Sequence, residues 1–309
     1  MSEVATTGLD ALEYPDLDAS RRLASLVGID DFKERLAKSL RLILDPTVLD
    51  SWVARNGPTG HVLAQRFRGR QPLFLLGGDV GTGKTALAES IGDRVARESS
   101  MPITLFRMSL ASRGSGLVGE MTRLISDVFA YVESAANARR GRNERALGGV
   151  LLFIDEADAL AQSREAAQMH HEDRAGVNAL IRGIDDLTRA RLPVAVLMAT
   201  NRLTALDPAI RRRAADLFVF ERPNAEQRRL VLTEALGDLL SKAQLDVLVK
   251  RTGSSDGSAV GFTYSDLTQR FLPAIVLAAV PDLSIDDALI LRVLQDIRAT
   301  PPFHDTETA

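Results

Sequence analysis

Residues 78–85 constrain the fold more than any other part of this 309-residue chain. They fit the pattern G-x-x-x-x-G-K-S/T of a phosphate-binding loop at every fixed position. The apolar run 72–76 precedes them, as expected of a buried strand, and residues with helical spacing follow them. A strand, a glycine-rich loop and a helix in this order predict an α/β domain that binds a nucleotide. The predicted nucleotide-binding residues of the loop are Gly78, Asp79, Val80, Gly81, Thr82, Gly83, Lys84 and Thr85.

Each residue type in this loop suits a phosphate. Glycines allow the backbone to curl around a phosphate and to point successive N–H groups at it. The helix that follows adds the positive end of its dipole. Lys84 can reach the outer phosphates, and the hydroxyl of Thr85 can bind Mg²⁺. The alternative is a glycine-rich turn that carries Lys-Thr by chance, so the nucleotide interpretation needs support from other parts of the chain.

Two adjacent carboxylates follow a second apolar run. Residues 150–154 are all apolar, as a strand in the middle of a parallel sheet requires, and Asp155 and Glu156 come directly after them. Open α/β sheets bind ligands at the carboxyl ends of their strands. This position predicts that Asp155 holds Mg²⁺ and that Glu156 orients and activates the water that attacks the γ-phosphate. ATP and Mg²⁺ are therefore the predicted cofactors.

Polar and basic residues follow a further apolar run. Asn201 comes two residues after the run 192–199, where its amide can hydrogen-bond the attacking water or the γ-phosphate. The cluster Arg211, Arg212 and Arg213 then precedes a predicted strand at 217–220. The sequence thus places an amide and a group of cations downstream of the two carboxylates.

The order of the elements predicts the domain organisation. Predicted strands alternate with helices up to residue 223, and only helices follow. This order is typical of a doubly wound, five-stranded parallel sheet followed by a small α-helical domain. The predicted segments are a helical or linker segment at 1–70, a large α/β domain at 71–223, a helical lid domain at 224–300 and a tail at 301–309. Residues 1–20 are polar and acidic, and we expect their start to be loosely ordered.

Composition argues against several classes of protein. The net charge of -3 gives no reason to expect nucleic acid or acidic lipid as a partner. The chain has no cysteine, which excludes disulfides and cysteine-based metal sites. The first ten residues lack the pattern of a signal peptide, and the apolar run 273–280 is too short to span a membrane. We expect a soluble, cytoplasmic protein without a membrane partner.

Together these motifs resemble those of the AAA+ ATPases, which are ring-forming machines with a phosphate-binding loop. The resemblance covers about residues 20–299, and its motifs come in the family's order: the phosphate loop, Asp155-Glu156, Asn201 and the arginine cluster. It implies that Asn201 is the residue called sensor 1. It also implies a homo-hexamer in which one arginine of the cluster reaches the γ-phosphate held by the neighbouring subunit. Arg213 is favoured for this role, with Arg212 next.

Within AAA+, the chain is most similar to the pachytene-checkpoint ATPases, which remodel HORMA-domain proteins. Residues 108–112, 176–180, 184–185 and 213–216 carry this similarity. Prokaryotic relatives accompany HORMA proteins and nucleotide-signalling enzymes in anti-phage operons. The resemblance therefore implies that the chain pulls on the N-terminus of a HORMA partner and converts its closed form to an open form.

The chain departs from the family pattern in three places. The larger N-terminal domain that recognises substrate has little room here. The central-pore loop, Gly116, Leu117, Val118 and Gly119, carries Leu117 where the family usually has an aromatic residue, and a plain glycine loop is an equal alternative. The usual sensor-2 arginine near residues 261–266 is absent, and Arg270, about one helical turn further on, is the candidate.

Other functions compete with this interpretation. Residues 155–158 spell Asp-Glu-Ala-Asp, as in a class of helicases, but no room remains after residue 223 for a second ATPase-like domain. A clamp loader or replication initiator would need a basic surface that faces DNA, which the net charge does not favour. Another AAA+ unfoldase or chaperone stays open, as does a nucleotide-dependent scaffold that does not turn ATP over. The presence of Lys84, Glu156 and Asn201 favours hydrolysis.

Overall fold

The structure is a computed structural model that describes residues 9–110, 119–141, 146–160, 170–254, 260–281 and 284–302. Contacts divide the chain into two compact units. The first unit comprises Met1–Ser25, Asp31–Gly77 and Thr85–Val219, and the second comprises Leu26–Asp30, Gly78–Lys84 and Phe220–Ala309. The second unit thus contains the phosphate loop up to Lys84 together with the C-terminal helices.

One mixed sheet accounts for all the named strands in the described part of the chain. The strands are β1 (Asp10–Tyr14), β2 (Leu73–Gly78), β3 (Ile103–Ser109), β4 (Gly149–Asp155), β5 (Val194–Thr200) and β6 (Ala214–Phe220). Their order in the sheet is β1-β3-β4-β5-β2-β6. Strand β3 pairs with β4, β4 with β5, and β5 with β2, all in parallel. Strands β4 and β5 are buried along almost their whole length, which explains their continuous apolar sequences.

The predicted α/β class is confirmed, but the predicted number of strands was wrong. The sixth strand is β1, which pairs antiparallel with β3 at one edge of the sheet. Only Tyr14 is buried in β1, so the segment lacks the alternation of apolar and polar residues that reveals a strand. Pairing with β3 stabilises β1 in place of burial. The hydroxyl of Thr104 on β3 donates to both carboxylate oxygens of Glu13, at 2.9 and 2.8 Å. The Tyr14 hydroxyl donates to the backbone carbonyl of Glu89.

Helices flank the strands in the first unit. They are α1 (Leu17–Ser25), α2 (Asp30–Leu44), α3 (Pro46–Arg68, kinked at Gly57), α4 (Lys84–Ala88), α5 (Ile91–Ser99), α6 (Glu120–Ala138), α7 (His170–Ala190) and α8 (Pro208–Arg211). The core on one face of the sheet joins α6 and α7 to the strands. On α6 the buried residues Ile125, Val128, Phe129 and Val132 have the i, i+3, i+4, i+7 spacing of an apolar helix face. A Cβ on Gly183 of α7 would lie 2.3 Å from the Phe129 ring, so a glycine is needed for this close packing.

The C-terminal helices of the second unit have their own core. They are α9 (Ala225–Leu236), α10 (Lys242–Arg251), α11 (Leu272–Ala279) and α12 (Asp287–Asp296), and a π-helical turn, Asp266–Phe271, leads into α11. Capping boxes begin α9 and α10, where Asn224 and Ser241 exchange hydrogen bonds with the residues three further on. Leu232, Leu267 and Ile290 are fully buried in the shared core.

Asp266 is the polar centre of this helical core. Its side chain is fully buried, and it accepts hydrogen bonds from the N–H of Thr263 (2.9 Å) and from the N–H and hydroxyl of Thr300 (3.0 and 2.6 Å). The Arg270 guanidinium lies 2.7 Å away. Burial by itself would raise the pKa of Asp266, but the hydrogen bonds from Thr300, Thr263 and Arg270 outweigh it and the pKa lies below its ordinary value.

We therefore expect Asp266→Asn to lower the free energy of unfolding by about 2 kcal/mol at neutral pH. Because the folded-state pKa is below the unfolded one, this stabilisation is fully present above the unfolded pKa and is lost as pH falls through the folded pKa. Denaturant unfolding at pH 7 and at several acidic pH values measures both effects. Asp296→Asn, on an exposed position of α12, is the matched control. A deficit that is the same at every pH would contradict the proposed role of the Asp266 charge.

Candidate functional site

The phosphate loop depends on glycines for its shape. Gly78 and Gly81 have φ values of 143° and 72°, which L side chains rarely adopt. A Cβ on Gly78 would lie 2.1 Å from the carbonyl oxygen of Phe220. A Cβ on Gly81 would lie 2.8 Å from Oγ1 of Thr263, and the Gly81 carbonyl accepts the N–H of Ser265 at 3.0 Å. The loop is therefore packed closely against backbone and side-chain atoms of its own unit.

Lys84 is buried and lies against the same loop. Its ammonium donates to the backbone carbonyls of Gly78 and Asp79, at 2.8 and 2.7 Å. The hydroxyl of Thr82 also donates to the Asp79 carbonyl, at 2.7 Å. These bonds hold the lysine charge beside the loop.

The two residues that the sequence assigns to Mg²⁺ are in contact. The hydroxyl of Thr85 donates to Oδ2 of Asp155 at 3.1 Å. A hydroxyl and a carboxylate are hard oxygen ligands, and Mg²⁺ typically binds one or two such protein groups together with phosphate and water. The residues present therefore fit a magnesium ion that is carried by a nucleotide. The Arg107 guanidinium, 3.6 Å from the same carboxylate oxygen, adds positive charge at this point.

Glu156 is held in an uncommon backbone conformation at the end of β4. Its φ is 56°, in the left-handed region, and its N–H donates to the Asp155 side chain at 2.9 Å. The Glu156 carboxylate accepts a hydrogen bond of 2.6 Å from the hydroxyl of Ser109. Ser109 ends β3 and lies directly opposite Asp155 in the sheet. A side chain from the neighbouring strand therefore fixes the direction of the predicted general base.

A buried carboxylate organises the end of β5. Asp158 accepts hydrogen bonds from the hydroxyl of Thr200 (3.3 Å) and from the N–H of Asn201 (3.2 Å). The Thr200 hydroxyl in turn accepts the N–H of Arg202 at 3.0 Å. Since β4 and β5 are adjacent and parallel, Asn201 lies at the same edge of the sheet as Asp155.

Arg213 is bound within its own chain. Its guanidinium donates to both carboxylate oxygens of Asp185 on α7, at 2.9 and 3.0 Å, and to the Ala209 carbonyl at 3.1 Å. The side-chain amide of Gln71, just before β2, donates to the same carboxylate at 2.8 Å. Asp185 thus joins the arginine to the start of a central strand. Arg212 is exposed.

The start of β2 and the end of β4 lie at opposite edges of the sheet. Leu73 is opposite Val196, and Val196 is opposite Leu152. Leu73 and Leu152 are thus at the same height in the sheet. Gln71 precedes Leu73 by two residues, and Asp155 follows Leu152 by three. A separation of five residues corresponds to about 17 Å along a strand. The structure therefore does not bring Arg213, bound near Gln71, together with the carboxylates of its own chain.

The remaining sequence-predicted residues have the following positions. Gly116, Leu117 and Val118 of the pore loop lie outside the described residues. Gly119 has a φ of 82° and immediately precedes α6. Arg270 contacts Asp266, the Arg298 carbonyl and the Thr300 hydroxyl, all within the helical core.

Comparisons with known proteins agree with this geometry. The model of the ATPase family associated with various cellular activities (AAA) matches residues 74–222. CD-NTase-associated protein 6 of Escherichia coli (strain MS 115-1) is 50% identical over 297 residues, which are 96% of this chain and 96% of that protein. The chain belongs to the AAA ATPase family. The resemblance that the sequence predicted, to the pachytene-checkpoint group in its prokaryotic form, is confirmed.

Solved structures match this AAA ATPase along nearly its whole length. A chain of the E. coli MS115-1 HORMA:CdnC:Trip13 complex matches with a TM-score of 0.87 and 49% identity, over 96% of this chain and 98% of that one. Rhizobiales Trip13 matches with a TM-score of 0.71 and 44% identity, over 95% and 99%. Family membership supports ATP binding and ATPase activity.

Two features are absent from the described residues, a membrane-spanning helix and a cluster of metal ligands. No helix among them combines the length and the apolar content needed to cross a membrane. Within the same residues, no group of three or more His, Cys, Asp or Glu side chains is placed to bind a metal ion. A magnesium site made of Thr85, Asp155 and nucleotide phosphates does not need such a group.

Sequence reasoning missed several residues of the site of this AAA ATPase. Ser109 and Asp158 both hold a predicted functional group by a hydrogen bond. Ser109 could have been found, because it is a polar residue directly after residues 103–108, whose composition is typical of a strand. Asp185 and Gln71 carry no such signal, since their roles depend on contacts between distant parts of the chain.

Proposed function

We propose that this AAA ATPase uses ATP hydrolysis to remodel a HORMA-domain protein, converting a closed form to an open form in an anti-phage signalling system. The observation that carries the proposal is the match to a chain of the HORMA:CdnC:Trip13 complex over almost the full length of both chains. Rhizobiales Trip13 also matches over 95% of this chain, which favours Trip13 as its counterpart in that complex.

The proposed roles at the nucleotide follow from the contacts. Residues 78–85 bind the phosphates, Lys84 supplies positive charge to the outer ones, and Thr85 and Asp155 hold Mg²⁺. When bound, Mg²⁺ neutralises negative charge on the phosphates. The Glu156 carboxylate leaves the Ser109 hydroxyl and takes the proton of the attacking water. Asn201, whose N–H is bound by Asp158, orients that water or the γ-phosphate.

We propose that a second copy completes each site and that the copies form a homo-hexamer. Arg213 lies at the edge of the sheet opposite to Asp155, so it is displayed away from the carboxylates of its own chain. A neighbouring subunit that presents its phosphates to this edge would receive the arginine. Arg212 is the alternative donor.

The bidentate contact suggests that Asp185 positions this arginine. We expect Asp185→Asn to lower kcat for ATP about three- to tenfold at unchanged KM, because an amide cannot accept both guanidinium bonds and the arginine loses its direction. Steady-state ATPase assays measure the effect. Asp186→Asn is the matched control, since Asp186 lies on the same helix and contacts the exposed Arg189. Equal kinetics for the two variants would exclude the positioning role.

Other predicted features stay proposals of the same function. Residues 224–300 act as a lid domain and 301–309 as a tail. Gly116, Leu117, Val118 and Gly119 are proposed as the pore loop that acts on the partner, with Leu117 in place of the usual aromatic residue. Arg270 is the candidate sensor 2, which requires it to leave the Asp266 carboxylate.

The test of the proposed function uses this protein together with a purified bacterial HORMA-domain protein in its closed form. We expect phosphate release, and conversion of the HORMA protein from closed to open form, measured by native chromatography, only with ATP. The Glu156→Gln variant should bind the partner without converting it. A nucleotide-dependent scaffold would release no phosphate, and another kind of unfoldase would release phosphate but leave the HORMA protein unchanged. Either result would overturn the proposal.

A further inference from the structure

The phosphate loop contains a carboxylate, that of Asp79. A negative side chain in a loop that receives phosphates repels the ligand unless a cation neutralises it. Arg222 supplies that cation: its Nε donates to Oδ2 of Asp79 at 2.7 Å. The two side chains are only 15% and 19% exposed, so water screens their attraction weakly.

The loop is also built around Asp79. Its other carboxylate oxygen accepts the N–H of Val80 at 2.8 Å. Its backbone carbonyl accepts the Lys84 ammonium and the Thr82 hydroxyl, both at 2.7 Å. The carboxylate that carries the charge and the carbonyl that binds Lys84 thus belong to the same residue.

The other end of the arginine reaches the helical part of the same unit. Its Nη1 donates to the Gly261 carbonyl at 2.7 Å. Four residues further on, the N–H of Ser265 donates to the Gly81 carbonyl at 3.0 Å. One arginine thus connects the phosphate loop to the segment that leads into the π-helical turn.

We infer that Arg222 is a positioning residue for the nucleotide: it cancels the Asp79 charge and thereby allows the loop to accept a triphosphate. This inference rests on the proposed function. It follows that the two members of the pair are not equivalent. Loss of Arg222 removes one positive charge from the loop, whereas loss of the Asp79 charge removes one negative charge and leaves the guanidinium in place.

The expected effects on nucleotide affinity therefore differ in sign. Arg222→Gln should weaken binding of a fluorescent ATP analogue about tenfold, because the loop then carries one more net negative charge in a partly buried site. Asp79→Asn should bind the analogue more tightly than the parent protein, because it removes one negative charge from the loop. The double variant should bind more tightly than Arg222→Gln alone. Arg229→Gln, which removes an arginine paired with Asp246 on the helical surface, is the control for charge alone.

Fluorescence titration of each full-length variant measures these affinities without requiring hydrolysis. If the Arg222–Asp79 pair had a purely structural role, both single variants would bind the analogue more weakly and the double variant would not restore binding. That result would overturn the inference. If Arg222→Gln does not fold, the comparison of Asp79→Asn with the parent still decides, because equal or weaker binding by Asp79→Asn contradicts the charge argument. Failure of the parent protein to bind the analogue would instead contradict the proposed function.

Discussion

Replacing Glu156 with Gln is expected to lower ATP turnover by about a thousandfold while ATP binding is retained. Gln has nearly the same shape as Glu, so the backbone at φ 56° and the contact with Ser109 can persist. The amide cannot take a proton from water, and the site loses its general base. Binding is retained because the proposed phosphate ligands, Lys84 and the loop around it, are unchanged. Phosphate release and nucleotide titration on the same sample separate the two effects.

A matched variant controls for the change of charge. Glu133→Gln makes the same substitution at an exposed position of α6 and should leave turnover unchanged. Turnover of Glu156→Gln within a fewfold of the parent would remove Glu156 from the role of base. Loss of both binding and turnover would point to a structural role at the end of β4.

Mixing two inactive variants is expected to restore activity. Lys84→Ala should lose ATP binding, and Arg213→Ala should lose about a thousandfold in turnover. In a mixed ring, some interfaces combine an intact phosphate loop with an intact arginine from the next subunit. Those interfaces are active only if the arginine acts between subunits, as its position at the opposite edge of the sheet from Asp155 suggests. Phosphate release from mixtures of varied ratio is the measurement.

The controls for this mixture come from the same part of the chain. Arg189→Ala removes an exposed arginine of α7 and should not affect turnover. Arg212→Ala decides between the two candidate donors, because only the true donor gives an inactive variant that Lys84→Ala subunits rescue. Mixtures that stay inactive at every ratio would show that neither arginine completes a neighbouring site.

Local motifs explain which parts of the structure could be predicted from sequence. The phosphate loop and Asp155-Glu156 are short segments whose conformation follows from neighbouring residues, a glycine pattern in one case and a buried strand in the other. Strand β1 could not be predicted in this way, because it has one buried residue and depends on β3 for its hydrogen bonds.

The parts of the site that orient the predicted groups were also beyond sequence reasoning. Ser109 reaches Glu156 from 47 positions away, and Arg222 reaches Asp79 from 143 positions away. The chemistry of a side chain can be read from its type, but its partner depends on the fold. The residues proposed to take part in the reaction were therefore easier to predict than the residues that orient their side chains.

Strand β2 has a consequence for how copies of the chain would work together. The phosphate loop follows one end of this strand, and Gln71, just before its other end, bonds the carboxylate that anchors Arg213. Strand β2 thus connects the loop that would bind the nucleotide of one subunit to the carboxylate that anchors the arginine offered to the next subunit. In the proposed hexamer, ATP binding to one subunit would change the position of its Arg213 and so the rate of hydrolysis in the next subunit. ATP would then be consumed in turn around the ring, and the rate would rise sigmoidally with ATP concentration.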